Sequence, residues 1–324
     1  MSLESADRAT QQLPLRGVVP IIPTPFKPET EEIDFDALRR LIDFAVAIGV
    51  SAVCLPAYAS EFYKLSETER FRVVEIAVEQ AAGRVAVIAQ SNHPSLKLAQ
   101  EIARRNEALG ADLISFAIPR IFGLGAEDVL DYCRAMGQAV QAPVLIQDFN
   151  PNGPTVGAEF ARQLHQACPN FRYLKLEEPL MGAKVTAIRE ATADAIGILE
   201  GWGGMYTLEL LPYGICGLMP GLAAADVLAY VWRLGEQQRW AEAMDVFQRI
   251  LPQLVFSLQN MELFLHLEKR LLVARGVLEH ATVRHATLNP SPELLTYGDF
   301  LNQRVLEVLA DLKLTMWTEI RHNG

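Results

Sequence analysis

At 324 residues, half of them hydrophobic and 21% charged, the chain is expected to bury roughly three quarters of its unfolded surface, enough for one large core and a smaller appended one. Its formal charge of −10, with Lys and Arg dispersed, argues against a nucleic-acid partner, because phosphate binding needs clustered cations. Apolar runs of about five to ten residues fall short of the ~18 a membrane span needs, so no membrane helix is expected.

Residues 1–14 read as a polar N-terminal segment without the apolar stretch of a secretory signal, so a cytoplasmic location is expected. A first apolar strand, Val18 to Ile22, precedes Pro23-Thr24-Pro25-Phe26, and Asp34 to Ile48 carries apolar residues at helical spacing. The same strand, loop and helix recur. Ala52 to Leu55 leads to a helix after Ser66, Val85 to Ala89 to one over Ser95–Leu109, and Leu113 to Ala117 to one over Glu127–Val140. Four more units follow. Val144 to Gln147 precedes a helix around Ala158 to Cys168, and Tyr173 to Lys175 one from Ala183. Ile196 to Leu199 precedes a short helix after Gly204, and Ile215 to Leu218 one from Ala223.

Eight such units over residues 15–226 predict a parallel (β/α)8 TIM barrel. An open doubly wound sheet is the alternative, but the first strand runs into prolines where a dinucleotide fold carries G-x-G-x-x-G. Residues 227–324 read as a C-terminal helical domain, with amphipathic helices over Gln238–Leu258, Met261–Arg275 and Pro292–Leu314. Cys54, Cys133, Cys168 and Cys216 form no C-x-x-C pair and no histidine stands at zinc-ligand spacing, so reduced thiols, no metal and no cofactor are expected.

Barrel chemistry sits at the C-terminal strand ends. There Phe171-Arg172-Tyr173-Leu174-Lys175-Leu176-Glu177-Glu178-Pro179 offers a lysine in strand position, and strict alternation puts Phe171, Tyr173 and Lys175 on one face. Enclosure disfavours an ammonium ion, and a free amine attacks a ketone to form an imine. Glu177 shares that face if the strand continues, where it would favour the ammonium or shuttle a proton. Gln147 is expected to point inward with Leu145, able to position a substrate but not to titrate. Tyr58 is the nearby phenol, Ala59 and Ser60 offer backbone N–H groups toward a carboxylate, and Trp202 reads as a pocket wall. Arg120 and His93 lie on rim loops, within reach of a second acid group.

The order and spacing of these segments, from about Leu15 to Leu314 and including the opening Gly17-Val18-Val19-Pro20-Ile21-Ile22-Pro23-Thr24-Pro25-Phe26, resemble the dihydrodipicolinate synthase and N-acetylneuraminate lyase family of class I aldolases. The resemblance implies that Lys175 is the Schiff-base lysine, that the substrate is a small 2-keto acid such as a pyruvate adduct, and that the chain forms a homo-oligomer, a dimer or tetramer. Three departures argue against dihydrodipicolinate synthase proper. The family's G-T-T-G-E is here Ala57-Tyr58-Ala59-Ser60-Glu61, its relay tyrosine falls on Gln147, and the tyrosine supplied by a neighbouring subunit falls near Ile121. Gln147-Asp148, Lys175-Leu176-Glu177 and Glu200-Gly201-Trp202-Gly203-Gly204 instead resemble the 2-keto-3-deoxy sugar acid dehydratase branch, which adds Asp148 and Gly201 to the candidate substrate contacts. Dihydrodipicolinate synthase activity, or a barrel that has lost catalysis and only binds, stays as the alternative.

Overall fold

A computed structural model describes residues 15–120, 123–150 and 153–314. The N-terminal segment 1–14 and Ile121 lie outside them. Among these residues, β1 (Gly17–Val18), β2 (Ala52–Leu55), β3 (Ala86–Gln90), β4 (Leu113–Ala117), β5 (Val144–Asp148), β6 (Phe171–Leu176), β7 (Gly197–Glu200) and β8 (Gly217–Leu218) form one parallel sheet in the order β1-β8-β7-β6-β5-β4-β3-β2. The ring closes where Ile21 bridges to Cys54, through Ile22 N donating to Cys54 O at 3.0 Å and Cys54 N to Pro20 O at 3.0 Å. The expected first strand is thus shorter in ladder terms, because Pro20 and Pro23 have no N–H to give to a neighbour.

Between the strands lie α1 (Phe35–Ala47), α2 (Glu67–Ala81), α3 (Leu96–Ala108), α4 (Ala126–Gly137), α5 (Ala158–Ala167), α6 (Gly182–Ala191), the single turn α7 (Thr207–Leu210) and α8 (Ala225–Glu236). Their starts follow local chemistry. Asp34 accepts from Ala37 N ahead of α1, and Ser66 with Glu69 forms a capping box ahead of α2. Residues such as Val53, Ile114, Ile146, Leu174 and Ile198 pack between strands and helices, whereas Val19, Cys54, Ile88, Leu113, Leu145 and Leu199 fill the barrel interior. Each of these larger apolar side chains contributes about 1.5–3 kcal/mol by leaving water.

One expectation of strict alternation fails. Val144 pairs with Phe171 but Leu145 pairs with Tyr173, so Arg172 is an extra residue in the β6 ladder. Phe171 therefore turns into the helix layer and Arg172 into solvent. From Tyr173 onward the alternation is regular, with Tyr173 inward and its hydroxyl accepting from Leu15 N at 2.9 Å.

Helices α9 (Trp240–Ser257), α10 (Met261–Ala274) and α11 (Pro292–Asp311) follow the barrel. Helix α9 packs on α8 and α11, and α10 reaches the 58–60 turn after β2. Phe264, Leu265 and Val283 are buried together against Ala59 and Leu258. A buried charge cluster pins the same contact. Glu61 accepts from Lys269 Nζ at 2.5 Å, Lys64 Nζ at 3.1 Å and Arg284 N at 3.1 Å. Burial pushes the Lys269 amine down to about 8, with Glu61 opposing.

Candidate active site

Strand β6 pairs with β5 through Gln147 and Lys175 and with β7 through Lys175 and Leu199, which places both polar side chains on the barrel's inner face. The ladder runs beyond the formal strand ends, with Glu177 N donating to Asp148 O at 3.2 Å and Gly201 N to Leu176 O at 2.9 Å. That continuation is why Glu177 falls on the same face as Lys175. Lys175 Nζ stands 3.1 Å from Glu177 Oε1, and the residue is only 6% exposed. Gln147 Nε2 donates to the same Glu177 oxygen at 2.5 Å, and Gln147 Oε1 accepts from Gln90 Nε2 at 2.7 Å. Three strands thereby build one chain of bonds that ends on a carboxylate facing an amine.

Above this group opens a cavity of about 650 Å³. Lys175, Glu177, Gln147, Tyr58, Ala59, Gly201 and Trp202 all line it, so seven of the nine side chains and turns expected from the sequence converge. Tyr58 packs edge-to-face on Phe62 with centroids 5.0 Å apart, and burial, aided by Glu177, pushes its phenol above the usual tyrosine range. It is a proton donor at neutral pH. Trp202 meets Phe149 edge-to-face at 5.6 Å. A Cβ on Gly201 would lie 2.4 Å from Glu177 Cγ and 2.9 Å from Lys175 Cε, so only glycine lets the β7 end approach the pair. Gly201→Ala is therefore expected to displace both side chains and lower kcat/KM on the order of 100-fold, with little change in Tm, as steady-state assays and thermal melts would read.

Ser60 and Asp148 do not line the cavity. The 58–60 turn uses Ser60 N to bond Ala57 O at 2.9 Å, and its hydroxyl donates to Ile22 O at 2.6 Å, tying β2's loop to the end of β1. Asp148 is fully buried on the outer face of β5, one residue past inward Gln147. It accepts from Arg120 Nε at 3.0 Å and Nη2 at 2.8 Å and from Val156 N at 2.7 Å. Arg120 does line the cavity, so Asp148 acts on the site by orienting the guanidinium. Asp148→Ala, which strands that cation, is expected to cost about 3 kcal/mol in urea unfolding. His93 is turned away, its Nδ1 accepting from Ser95 N at 2.9 Å.

Other residues shape the site. Gln90, on the rim at the end of β3 and two residues beyond inward Ile88, donates to Gln147. Glu200 is fully buried behind the Gly201–Gly204 turn, accepting from Trp202 N at 2.9 Å and Gly204 N at 2.7 Å. Burial pushes its carboxyl up to about 7 against those N–H groups. Leu258, Gln259, Asn260, Met261 and Phe264 close the cavity from the α9–α10 turn, where Asn260 caps α10 by accepting from Glu262 N at 2.8 Å. No local signal ties that turn to Lys175.

Comparison with known proteins decides the family. The model of the dihydrodipicolinate synthetase family matches residues 14–289. The chain belongs to that family. An L-2-keto-3-deoxyarabonate dehydratase of Azospirillum brasilense is 27% identical over 286 residues, spanning 86% of this chain and 89% of its own. A 4-hydroxy-tetrahydrodipicolinate synthase of Leptothrix cholodnii is 32% identical over 233 residues, 66% of this chain and 77% of its own. The crystal structure of dihydrodipicolinate synthase from Rhodopseudomonas palustris superposes with a TM-score of 0.83 at 24% identity, covering 89% and 97% of the two chains, and supports the barrel fold. Membership places the protein among lyases and dehydratases. Among the described residues no helix is long and apolar enough to cross a membrane, and no group of His, Cys, Asp and Glu is placed to hold a metal ion.

Proposed function

We propose that this protein is an imine-forming lyase that acts on a 2-keto acid, with Lys175 as the nucleophile. The observation that carries the reading is the Lys175 amine at the floor of the cavity, 3.1 Å from Glu177 and flanked by Gln147. The amine adds to the C2 ketone. The carbinolamine then loses its oxygen as water, with the proton supplied by Glu177 or by the Tyr58 hydroxyl. The iminium withdraws electrons from C3, and Glu177 takes the C3 proton to leave an enamine. Expulsion of the C4 hydroxyl, protonated by the same carboxyl, releases a second water, and hydrolysis of the resulting unsaturated imine takes one back and frees Lys175, so that one water is lost overall. Where the C4 hydroxyl proton is taken instead, the C3–C4 bond breaks to an aldehyde and the enamine of pyruvate. The imine itself is the electron sink, so neither course calls on a further cofactor.

Gln147 holds Glu177 by its amide N–H and carries no proton itself. We assign the substrate carboxylate to the turn at Ala59 and the open face at Gly201, with Trp202 as a wall. Ser60 and Asp148 act behind them, as the braces of the β2 turn and of Arg120. The dehydratase name of the relative spanning 86% of the chain supports a 2-keto-3-deoxy acid and loss of water. Tyr58 and Ala59, which replace the two threonines of the family's G-T-T-G-E, and Gln147, which replaces its tyrosine, weigh against condensation to 4-hydroxy-tetrahydrodipicolinate. Family membership also supports a homo-oligomer, dimer or tetramer, in the cytoplasm; sedimentation would read its mass in multiples of 35.9 kDa.

Incubation with pyruvate or a 2-keto-3-deoxy sugar acid, borohydride reduction and peptide mass analysis tests the reading. The adduct is expected on the peptide holding Lys175 and not on that holding Lys269. No adduct from any keto acid would leave a barrel that binds without catalysing.

A further inference from the structure

The cavity floor and the cavity mouth differ in chemistry. At the floor, Lys175, Glu177 and Gln147 serve one keto-acid head and already satisfy one another. Beyond the strand ends the walls are Phe149, Trp202, Leu258, Met261 and Phe264. Phe149 and Met261 are each 41% exposed, large apolar side chains left in water at the edge of a concave site. Among the described lining residues Tyr58 supplies the one hydroxyl, and none is Ser, Thr, Asp or His. Arg120 spends Nε and Nη2 on Asp148, and Asn260 spends Oδ1 on the N-terminus of α10.

A polyol chain entering this space would bring several hydroxyls, each a donor and an acceptor that loses its water and finds, beside mostly apolar walls, only the Tyr58 hydroxyl, the Gln259 and Asn260 amides and the Arg120 guanidinium. A flat apolar group meets what the walls offer, the rings of Trp202 and Phe149. A cavity of about 650 Å³ also exceeds what a three-carbon keto acid fills.

We propose that the 2-keto acid taken by Lys175 carries an apolar, ring-sized group beyond C4. This rests on the imine reading above, and narrows its substrate class away from sugar acids. The test is a competition that separates the two claims. Pyruvate with borohydride first establishes whether Lys175 forms an imine. The protein is then offered equal concentrations of 2-oxo-4-phenylbutanoate and 2-keto-3-deoxyarabonate, reduced at short times, and the two adducts on the Lys175 peptide are compared by mass. We expect the phenyl adduct to exceed the sugar-acid adduct on the order of tenfold or more. Met261→Ser, on an exposed first turn of α10, is expected to lower that ratio several-fold. Equal adducts, or more of the sugar acid, with pyruvate still trapped would overturn the inference and leave the imine reading standing. Absence of an adduct from pyruvate and from both competing acids would overturn both.

Discussion

Lys175→Met is expected to erase borohydride trapping by 2-keto acids and to lower turnover on the order of 10⁴-fold or more, because no other described group at the cavity floor is an amine. Methionine keeps an unbranched stem of similar length, so the packing beside Gly201 survives. The substitution leaves Glu177 without its cation while Gln147 still donates to it, and the folded state is expected to lose about 1–2 kcal/mol. Circular dichroism and a urea curve would show a folded protein, and mass analysis no adduct. A variant that still traps pyruvate on another lysine, Lys269 above all, would move the nucleophile to the buried Glu61 cluster and refute the assignment.

Glu177→Gln is expected to lower kcat roughly 10²- to 10⁴-fold while KM moves little, since the carboxylate is asked to carry protons in steps after binding. The amide keeps an oxygen to accept from Gln147 Nε2 and nearly the same volume, so Tm should stay close to that of the parent. The decisive readout is the split between kcat and KM. Imine trapping, which needs the amine, should persist at a reduced rate. If kcat is unchanged, Glu177 only pairs with Lys175 and the proton carrier lies elsewhere, with the Tyr58 hydroxyl next in reach of the cavity.

These two effects depend on residues that were readable in the linear chain. Lys175 and Glu177 stand two apart at the end of an apolar run, and Gln147 stands two past Leu145, so alternation alone puts all three inward. The same rule misplaced Phe171, because a single extra residue, Arg172, shifts the β6 ladder by one position and reverses the face of everything before it. Asp148 shows the limit in another form. The resemblance to the dehydratase branch pairs it with Gln147, yet neighbours on a strand face opposite ways, and Asp148 braces Arg120 from the helix side. Ser60 failed for a different reason, in that its N–H and hydroxyl close a turn whose shape local composition does not announce.

The chain by itself determined the eight β/α units, the polar C-terminal strand ends and the lysine among them, since hydrophobic period and side-chain alternation are properties of a few consecutive residues. Only the tertiary structure decided what surrounds that lysine. Gly201 comes within van der Waals reach of Glu177, Asp148 points away to hold Arg120, and Met261 and Phe264, more than eighty residues downstream, cover the cavity. Those placements follow from how barrel closure and the Glu61–Lys269 cluster draw distant segments together, and contacts between distant segments leave no periodic trace in the order of residues.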